Sequence, residues 1–377
     1  MEQIVISGTG VFTPEESITN KELVNAYNSY AESYNSNNED DISRGNKVAL
    51  ELSNEEFIFN ASGIKNRYVM DKKGILDPNI MHPILDKRSN DEPSILAEMS
   101  LKAAKKAMEK AKKKPHDIDA VITACSNLER AYPAISIEVQ ELLGIKGFAF
   151  DMNVACSSAT FAIQAAADMI KSGSAKTILI VDPEICSGHL DFKDRDCHFI
   201  FGDVCTAMIL EKRETVQSNN SFEILSTKCI TQFSNNIRNN FGFLNNAKKS
   251  SPLDRDLLFM QEGRKVFKEV VPMVSQLIID HADEEKIKID EIKRLWLHQA
   301  NKSMNDFIGK KVLGRIPEDH EQPNILQDYA NTSSAGSIIA FSLYSEDMKS
   351  DEIGVLCSFG AGYSAGSIIL KKIPSFV

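Results

Sequence analysis

The chain has 377 residues, 42% hydrophobic and 25% charged, which suits a large folded core and excludes a disordered chain. Its formal net charge of −10 excludes nucleic acid as the main partner, because phosphate binding wants a basic surface. The seven cysteines, an odd number with no C-x-x-C pair, read as reduced thiols, and neither a disulfide framework nor a metal is expected.

In chain order, Ile4-Val5-Ile6-Ser7-Gly8 reads as a strand and turn. No basic region precedes a long apolar run, so no signal peptide is expected. No apolar run approaches the length of a membrane span, which makes the cytoplasm the expected location. Residues 27–54 are rich in Asn, Ser, Glu and Asp, and residues 70–91 carry Pro and Gly. Both are predicted to be surface loops or, in a sharper reading, a lid or substrate-channel wall. Residues 93–114 are predicted to form an amphipathic helix. Ile95, Leu96, Met99, Ala103 and Ala107 line one face, and Pro115 is the stop. Short apolar strands at 120–124, 177–181, 207–210, 294–297 and 354–357 alternate with helical stretches, the α/β pattern.

Four segments carry chemistry. Cys156 precedes Ser157-Ser158-Ala159-Thr160-Phe161-Ala162-Ile163, small and apolar enough for a packed helix that ends near Gly173. In the first turn of such a helix, unpaired N–H groups and the dipole favour a thiolate, although a plain core cysteine fits too. His298, in Trp296-Leu297-His298-Gln299-Ala300-Asn301, ends an apolar strand, where α/β sheets build sites. Asn331 precedes Thr332-Ser333-Ser334-Ala335 and fits either a site or a helix cap. The turn Gly360-Ala361-Gly362 offers N–H groups to a thioester carbonyl. The run Asp191–Asp196 lacks the glycine and terminal glutamate of a calcium loop.

A faint internal repeat is also present. Phe201-Gly202-Asp203 resembles Phe359-Gly360-Ala361, Ala155-Cys156-Ser157-Ser158-Ala159 resembles Asn331-Thr332-Ser333-Ser334-Ala335, and 121–124 resembles 295–298. The order is the same in both copies, which suggests two fused α/β units. We expect an N-terminal half, 1–212, holding Cys156 and cap insertions at about 27–100, and a C-terminal half, 213–377, holding His298 and Asn331.

Ala-Cys-Ser-Ser, His-Gln-Ala-Asn, Asn-Thr-Ser-Ser-Ala and Phe-Gly-Ala-Gly, in this order, resemble the β-ketoacyl-acyl-carrier-protein synthase III family along nearly the whole chain. Ala124-Cys125-Ser126-Asn127-Leu128, Arg130-Ala131-Tyr132-Pro133-Ala134 and Asp182-Pro183-Glu184-Ile185-Cys186-Ser187-Gly188-His189 are similar to its β-ketodecanoyl subgroup. The resemblance implies a duplicated, five-layered αβαβα thiolase fold and a homodimer. It implies decarboxylative condensation of an acyl-CoA primer, medium-chain and near octanoyl, with malonyl-acyl carrier protein, and no cofactor beyond these substrates. Cys156 would hold the acyl group, with the N–H groups of Cys156 and Ala361 as its oxyanion hole. His298 and Asn331 would steady the enolate. Phe57 and Arg195 would flank the CoA adenine, Gly263 and Arg264 the pantetheine arm, and Tyr132 a neighbouring acyl pocket. Lys268 and Lys302 would meet the carrier protein.

The sequence departs from the family where Phe57 replaces a tryptophan, Ala61 and Ser303 replace arginines, and Ala330 replaces a glycine. A thiolase needs a cysteine in a late C-x-G-x-G turn, and Cys357 lies one residue out of register. An acetyl-CoA-primed synthase, a hydroxymethylglutaryl-CoA-type synthase, a related acyltransferase, a head-to-head condensing enzyme and a silent partner subunit are the alternatives. The silent subunit is disfavoured because Cys156, His298 and Asn331 are all present.

Overall fold

A computed structural model describes residues 2–249 and 251–374. The first strand, β1 (Ile4–Phe12), does not stop at Gly8 as the sequence suggests. After it, β2 (Glu16–Thr19) pairs with β3 (Asn66–Val69), and between them lie α1 (Asn20–Asn37), α2 (Glu39–Ser43) and α3 (Glu55–Ser62). The predicted loop at 27–54 is therefore helical over much of its length. A Thr19–Glu22 capping box starts α1, and Leu23, Tyr27 and Ala31 keep an apolar face through the polar composition that hid it. The stretch 70–91 is mostly irregular, as expected, apart from the single turn α4 (Lys72–Leu76). These segments pack with Phe192, Phe199, Phe201 and Phe259 into a separate apolar cluster.

The predicted amphipathic helix is α5 (Ile95–Ala111), capped by the Ser94 hydroxyl and closed by Lys112 in the left-handed region. It explains why β1 continues through its glycines. A Cβ on Gly8 would lie 2.3 Å from the Ala107 carbonyl oxygen, and one on Gly10 would lie 2.1 Å from that of Ala103. The glycines let the helix backbone seat on the strand.

The chain continues with β4 (Ala120–Ala124), α6 (Ile135–Leu143), β5 (Phe148–Met152), α7 (Ser158–Ser172), β6 (Thr177–Ile185) and β7 (Asp203–Lys212). Next come β8 (Phe222–Ser234), a ribbon of β9 (Ile237–Arg238) with β10 (Met260–Gln261), α8 (Gly263–Glu284) and β11 (Ile292–Leu297). The last elements are α9 (Lys302–Leu313), α10 (Leu326–Tyr329), α11 (Ala335–Leu343), β12 (Ile353–Gly360) and β13 (Gly362–Lys372). The main strands run β11-β12-β13-β8-β1-β7-β6-β4-β5. Only two residue pairs, Val5 with Glu223 and Ile6 with Phe222, join β1 to β8. The strands therefore act as two sheets hinged at that seam.

Strand alternation sorts the side chains into layers. Ile122, Ile180 and Met208 on one side, and Leu356 and Ile368 on the other, face inward onto α7 and α11. Val121, Leu179 and Ile209 face outward onto α5 and α6. Leu295, Val355 and Ile369 face α8, with Val270 and Ile278, and α9, with Ile308. The result is the five-layered αβαβα thiolase fold. Residues 335–342 of α11 are all buried, as a helix sandwiched between sheets must be.

Gly10→Ala tests the seating of α5. It is expected to destabilise the fold by about 1–3 kcal/mol through overpacking against helix backbone. A urea unfolding midpoint equal to that of the unsubstituted protein would contradict the close approach.

Candidate active site

Cys156 lies in the loop between β5 and α7. The helix begins at Ser158, so the cysteine stands just ahead of the first turn and not within it. Its position is held from several sides. The Asn153 Oδ1 accepts from the Ala155 N–H at 2.8 Å, and Ala155 takes a left-handed conformation with φ of 48°. The Ser157 hydroxyl donates to the Ser364 carbonyl at 3.0 Å, and the Ser364 hydroxyl donates to the Val154 carbonyl at 3.2 Å. These bonds fasten the loop to β13. A Cβ on Gly360 would lie 2.5 Å from the Cys156 Cβ and 3.0 Å from its sulfur, so only glycine allows the approach. Ala361 turns the chain from β12 into β13, and its N–H reaches the sulfur.

His298 follows the last residue of β11. Its N–H donates to the Cys357 carbonyl at 2.7 Å, and its ring meets the Phe359 ring at right angles, 5.1 Å between centroids. Asn331 is not a helix cap, since Ser334 precedes α11 in that place. It bridges Phe201 instead: its N–H donates to Ile200 and its carbonyl accepts from Gly202, both at 3.0 Å. The Asn331 Oδ1 accepts from the Ser333 N–H at 2.9 Å, which leaves the side-chain NH2 as the donor end. Ser333, at φ of 53°, is the common neighbour. Its N–H orients Asn331, while its hydroxyl lies near Cys156 and its main chain near His298.

The electrostatics differ from the sequence-based expectation. Burial pushes the Cys156 thiol up to about 11, against the Ser333 hydroxyl and the Ala361 N–H, which favour the thiolate. Desolvation of the sulfur outweighs the helix end, so the resting group is a thiol, although the residue is partly open to the cavity. Burial also holds His298 down to about 4, with the Ser333 main chain opposing. That contact falls short of a full hydrogen bond, because Nδ1 has no partner of good geometry. The ring is neutral at physiological pH.

A cavity of about 1260 Å³ opens at Cys156, with Leu128, Phe201, Leu257, Phe259 and Ala361 in its wall. Ser333 also lines it, but His298 and Asn331 lie behind and do not. The residues expected at CoA are elsewhere. Arg195 sits 4.0 Å over the Phe57 ring, so the two expected adenine faces stack on each other. Arg195 also donates to the Leu52 carbonyl at 2.9 Å, with Glu51 and Asp196 near 4 Å, while Asp194 pairs with Arg255. Gly263 and Arg264 open α8 on its exposed side, with Lys268 one turn on; Lys302 opens α9 and pairs with Asp306 at 2.7 Å. Tyr132 is 85% exposed beside Arg130 and Ala131 of the cavity wall.

Sequence reasoning assigned no role to Asp182 and Glu184, two carboxylates inside the buried strand β6. Their signal was two acids at i and i+2 in an otherwise apolar run, an arrangement that folded proteins seldom tolerate without a purpose.

Two sheets packed around the buried helices α7 and α11 make a thiolase fold, and the segments that carry Cys156, His298 and Asn331 all approach Ser333. The family signature of 3-oxoacyl-[acyl-carrier-protein (ACP)] synthase III matches residues 150–232, and its C-terminal signature matches residues 282–372. A β-ketodecanoyl-[acyl-carrier-protein] synthase of Pseudomonas aeruginosa is 58% identical over 92% of this chain and 99% of its own. A β-ketoacyl-[acyl-carrier-protein] synthase III of Clostridium perfringens is 28% identical over 98% of this chain and 100% of its own. The crystal structure of 3-oxoacyl-[acyl-carrier-protein] synthase III from Aquifex aeolicus shares the fold, with a TM-score of 0.76 at 23% identity over 98% of this chain and 99% of that one. The chain belongs to the 3-oxoacyl-[acyl-carrier-protein] synthase III family, condensing enzymes of fatty acid synthesis.

The raised thiol sets an expectation. A rise from 9.0 to about 11 lowers the thiolate fraction at mild pH about a hundredfold. Iodoacetamide is therefore expected to label Cys156 at pH near 8 at least tenfold more slowly than a free thiol. Labelling as fast as a free thiol would show that the helix end outweighs burial.

Proposed function

We propose that Cys156 accepts an acyl group from a medium-chain acyl-CoA, near octanoyl, and that malonyl-acyl carrier protein then condenses with it. The observation that carries this reading is the convergence of the Cys156, His298 and Asn331 segments on Ser333, with the Ala361 N–H at the sulfur. The N–H groups of Cys156 and Ala361 hold the thioester oxygen. Neutral His298 and the Asn331 NH2 donate to the enolate oxygen formed as carbon dioxide leaves. Neutral donors stabilise that charge without pairing permanently with it. Cys357, fully buried with its thiol pushed up by burial, is not placed as a second nucleophile of a thiolase.

The primer length is supported by the 58% identity to a synthase named for its β-ketodecanoyl product, and by the apolar wall of the cavity. Each buried methylene contributes about 0.8 kcal/mol, so a fitted channel separates chain lengths stepwise. Phe57 and Arg195 part to take the CoA adenine between them, Gly263 and Arg264 guide the pantetheine arm, and Lys268 and Lys302 meet the acidic carrier protein. No other cofactor is required. The working form is a cytoplasmic homodimer, a reading supported by the exposed Tyr132, Phe233 and Phe243 near the cavity. No helix among the described residues is long and apolar enough to cross a membrane. We read 1–212 and 213–377 as the two units of the fold, supported by the narrow β1–β8 seam.

The test is kcat/KM for acetyl, butyryl, hexanoyl, octanoyl and decanoyl thioesters, on CoA and on carrier protein. Octanoyl-CoA is expected to lead; acetyl-CoA in first place would reject the primer assignment. His298→Ala and Asn331→Ala are each expected to keep Cys156 acylation and to slow condensation about 10²–10³-fold. Normal condensation in either variant would remove that residue from enolate stabilisation.

A further inference from the structure

The turn that carries Asn331 is held in a strained shape. Ala330, just before it, has φ of 57° and ψ of −159°, and Ser333, just beyond it, has φ of 53°. Neither is a glycine, and such conformations persist only where the surroundings fix them. Upstream, the fixing is done by main chain, through the bonds of Asn331 to Ile200 and Gly202. Downstream, the Ala335 N–H donates to the Thr332 carbonyl at 3.2 Å and closes the turn. The Ser334 side chain then ties this turn to the other sheet, because its hydroxyl donates to the Asp182 Oδ1 at 2.7 Å.

Asp182 is fully buried in β6, on the face where Ile178 and Ile180 pack against the central helices. Opposite it in the antiparallel ladder stands Thr206 of β7, whose hydroxyl donates to the Asp182 Oδ2 at 3.4 Å. Each carboxylate oxygen thus has its own partner, one on the neighbouring strand and one on the Asn331 turn. Its neighbour Glu184 serves a different segment. It accepts from the Ser126 N–H at 3.0 Å and from the Ser126 hydroxyl, on the cavity wall. Burial, together with the Glu184 charge, raises Asp182 well above the usual carboxylate range and draws it toward its neutral form. An acid in such a place costs more than an apolar residue would, so its oxygens have to supply something the strand itself does not need.

We propose that Asp182, acting through the Ser334 hydroxyl, is a positioning residue that holds the Asn331 side chain where the enolate oxygen forms. The proposal rests on the reading of Asn331 as an enolate donor. Asp182 touches no substrate and takes no part in bond making. Its contribution is to keep the turn between Asn331 and α11 from relaxing, so that the Asn331 NH2 is already aimed when carbon dioxide leaves. Preorganised donors act this way because no reorientation is needed at the moment of reaction. Acylation of Cys156 uses the N–H groups of Cys156 and Ala361, and so does not depend on this anchor.

The experiment measures the two half-reactions of the full chain separately. Acylation by octanoyl-CoA is read by intact mass, and condensation by single turnover of the acylated protein with saturating malonyl-acyl carrier protein. Ser334→Ala and Asp182→Ala are each expected to slow condensation about 10-fold or more while acylation stays within about twofold. The double variant is expected to be no slower than the slower single one, since both remove the same contact. Asp182→Asn, which keeps the shape, an accepting oxygen and no charge, is expected to restore condensation to within about threefold of the unsubstituted rate. In an Asn331→Ala background, Ser334→Ala is expected to slow condensation no further, a result that a merely structural role would not give. Normal condensation in Ser334→Ala, equal slowing of both half-reactions, or further slowing in the Asn331→Ala background would overturn the proposal and leave the role of Asn331 standing. Normal condensation in Asn331→Ala itself would remove the enolate reading, and the proposal with it.

Discussion

The burial of α7 and α11 between the two sheets is the constraint on which the rest depends. Each helix is built of small and branched apolar residues, which allow close packing from both sides. Because both sheets grip the pair, the segments leading into the two helices have little freedom. Cys156 comes just before one helix and Asn331 just before the other, and the Ser157–Ser364 bond fastens the first to β13. His298 arrives from the end of β11 on the neighbouring edge. The site therefore sits on short connecting segments that the buried helices and the strands hold in place, as chemistry with tight geometric demands requires.

The same burial sets the electrostatics. A thiol, an imidazole and two carboxylates are all drawn toward their neutral forms because the surroundings solvate charge poorly. In the proposed reaction such a site keeps uncharged donors ready for the negative charge that develops later. The cost is that Cys156, the proposed nucleophile, rests as a thiol. Its activation has to come from groups already in place, among them the Ala361 N–H and the Ser333 hydroxyl, which both favour the thiolate.

Much of this was legible in the sequence because periodicity and short motifs report local structure. The strand at Ala120–Ala124, the helix after Ser94, the break after Gly173 and the strand ending at Leu297 all follow from alternation, caps and stops. The first long helix was hidden, because Asn, Ser and Glu on its outer face mask the spacing of Leu23, Tyr27 and Ala31. Gly8 was misleading for a different reason: it admits the helix backbone at Ala107, a contact distant in sequence that leaves no local pattern. The stacking of Arg195 on Phe57 and the rise of the Cys156 thiol share that origin, since each depends on contacts distant in sequence.

The central claim is that Cys156 carries the acyl group into the cavity with its carbonyl oxygen on the N–H groups of Cys156 and Ala361. A crystal structure of the enzyme after exposure to octanoyl-CoA, without malonyl donor, tests it directly. The account requires a thioester on Cys156, its oxygen within about 3 Å of both N–H groups, and the chain between Leu128, Phe201 and Phe259. An acyl group on another cysteine, or on Cys156 with its oxygen turned away from Ala361, would contradict it.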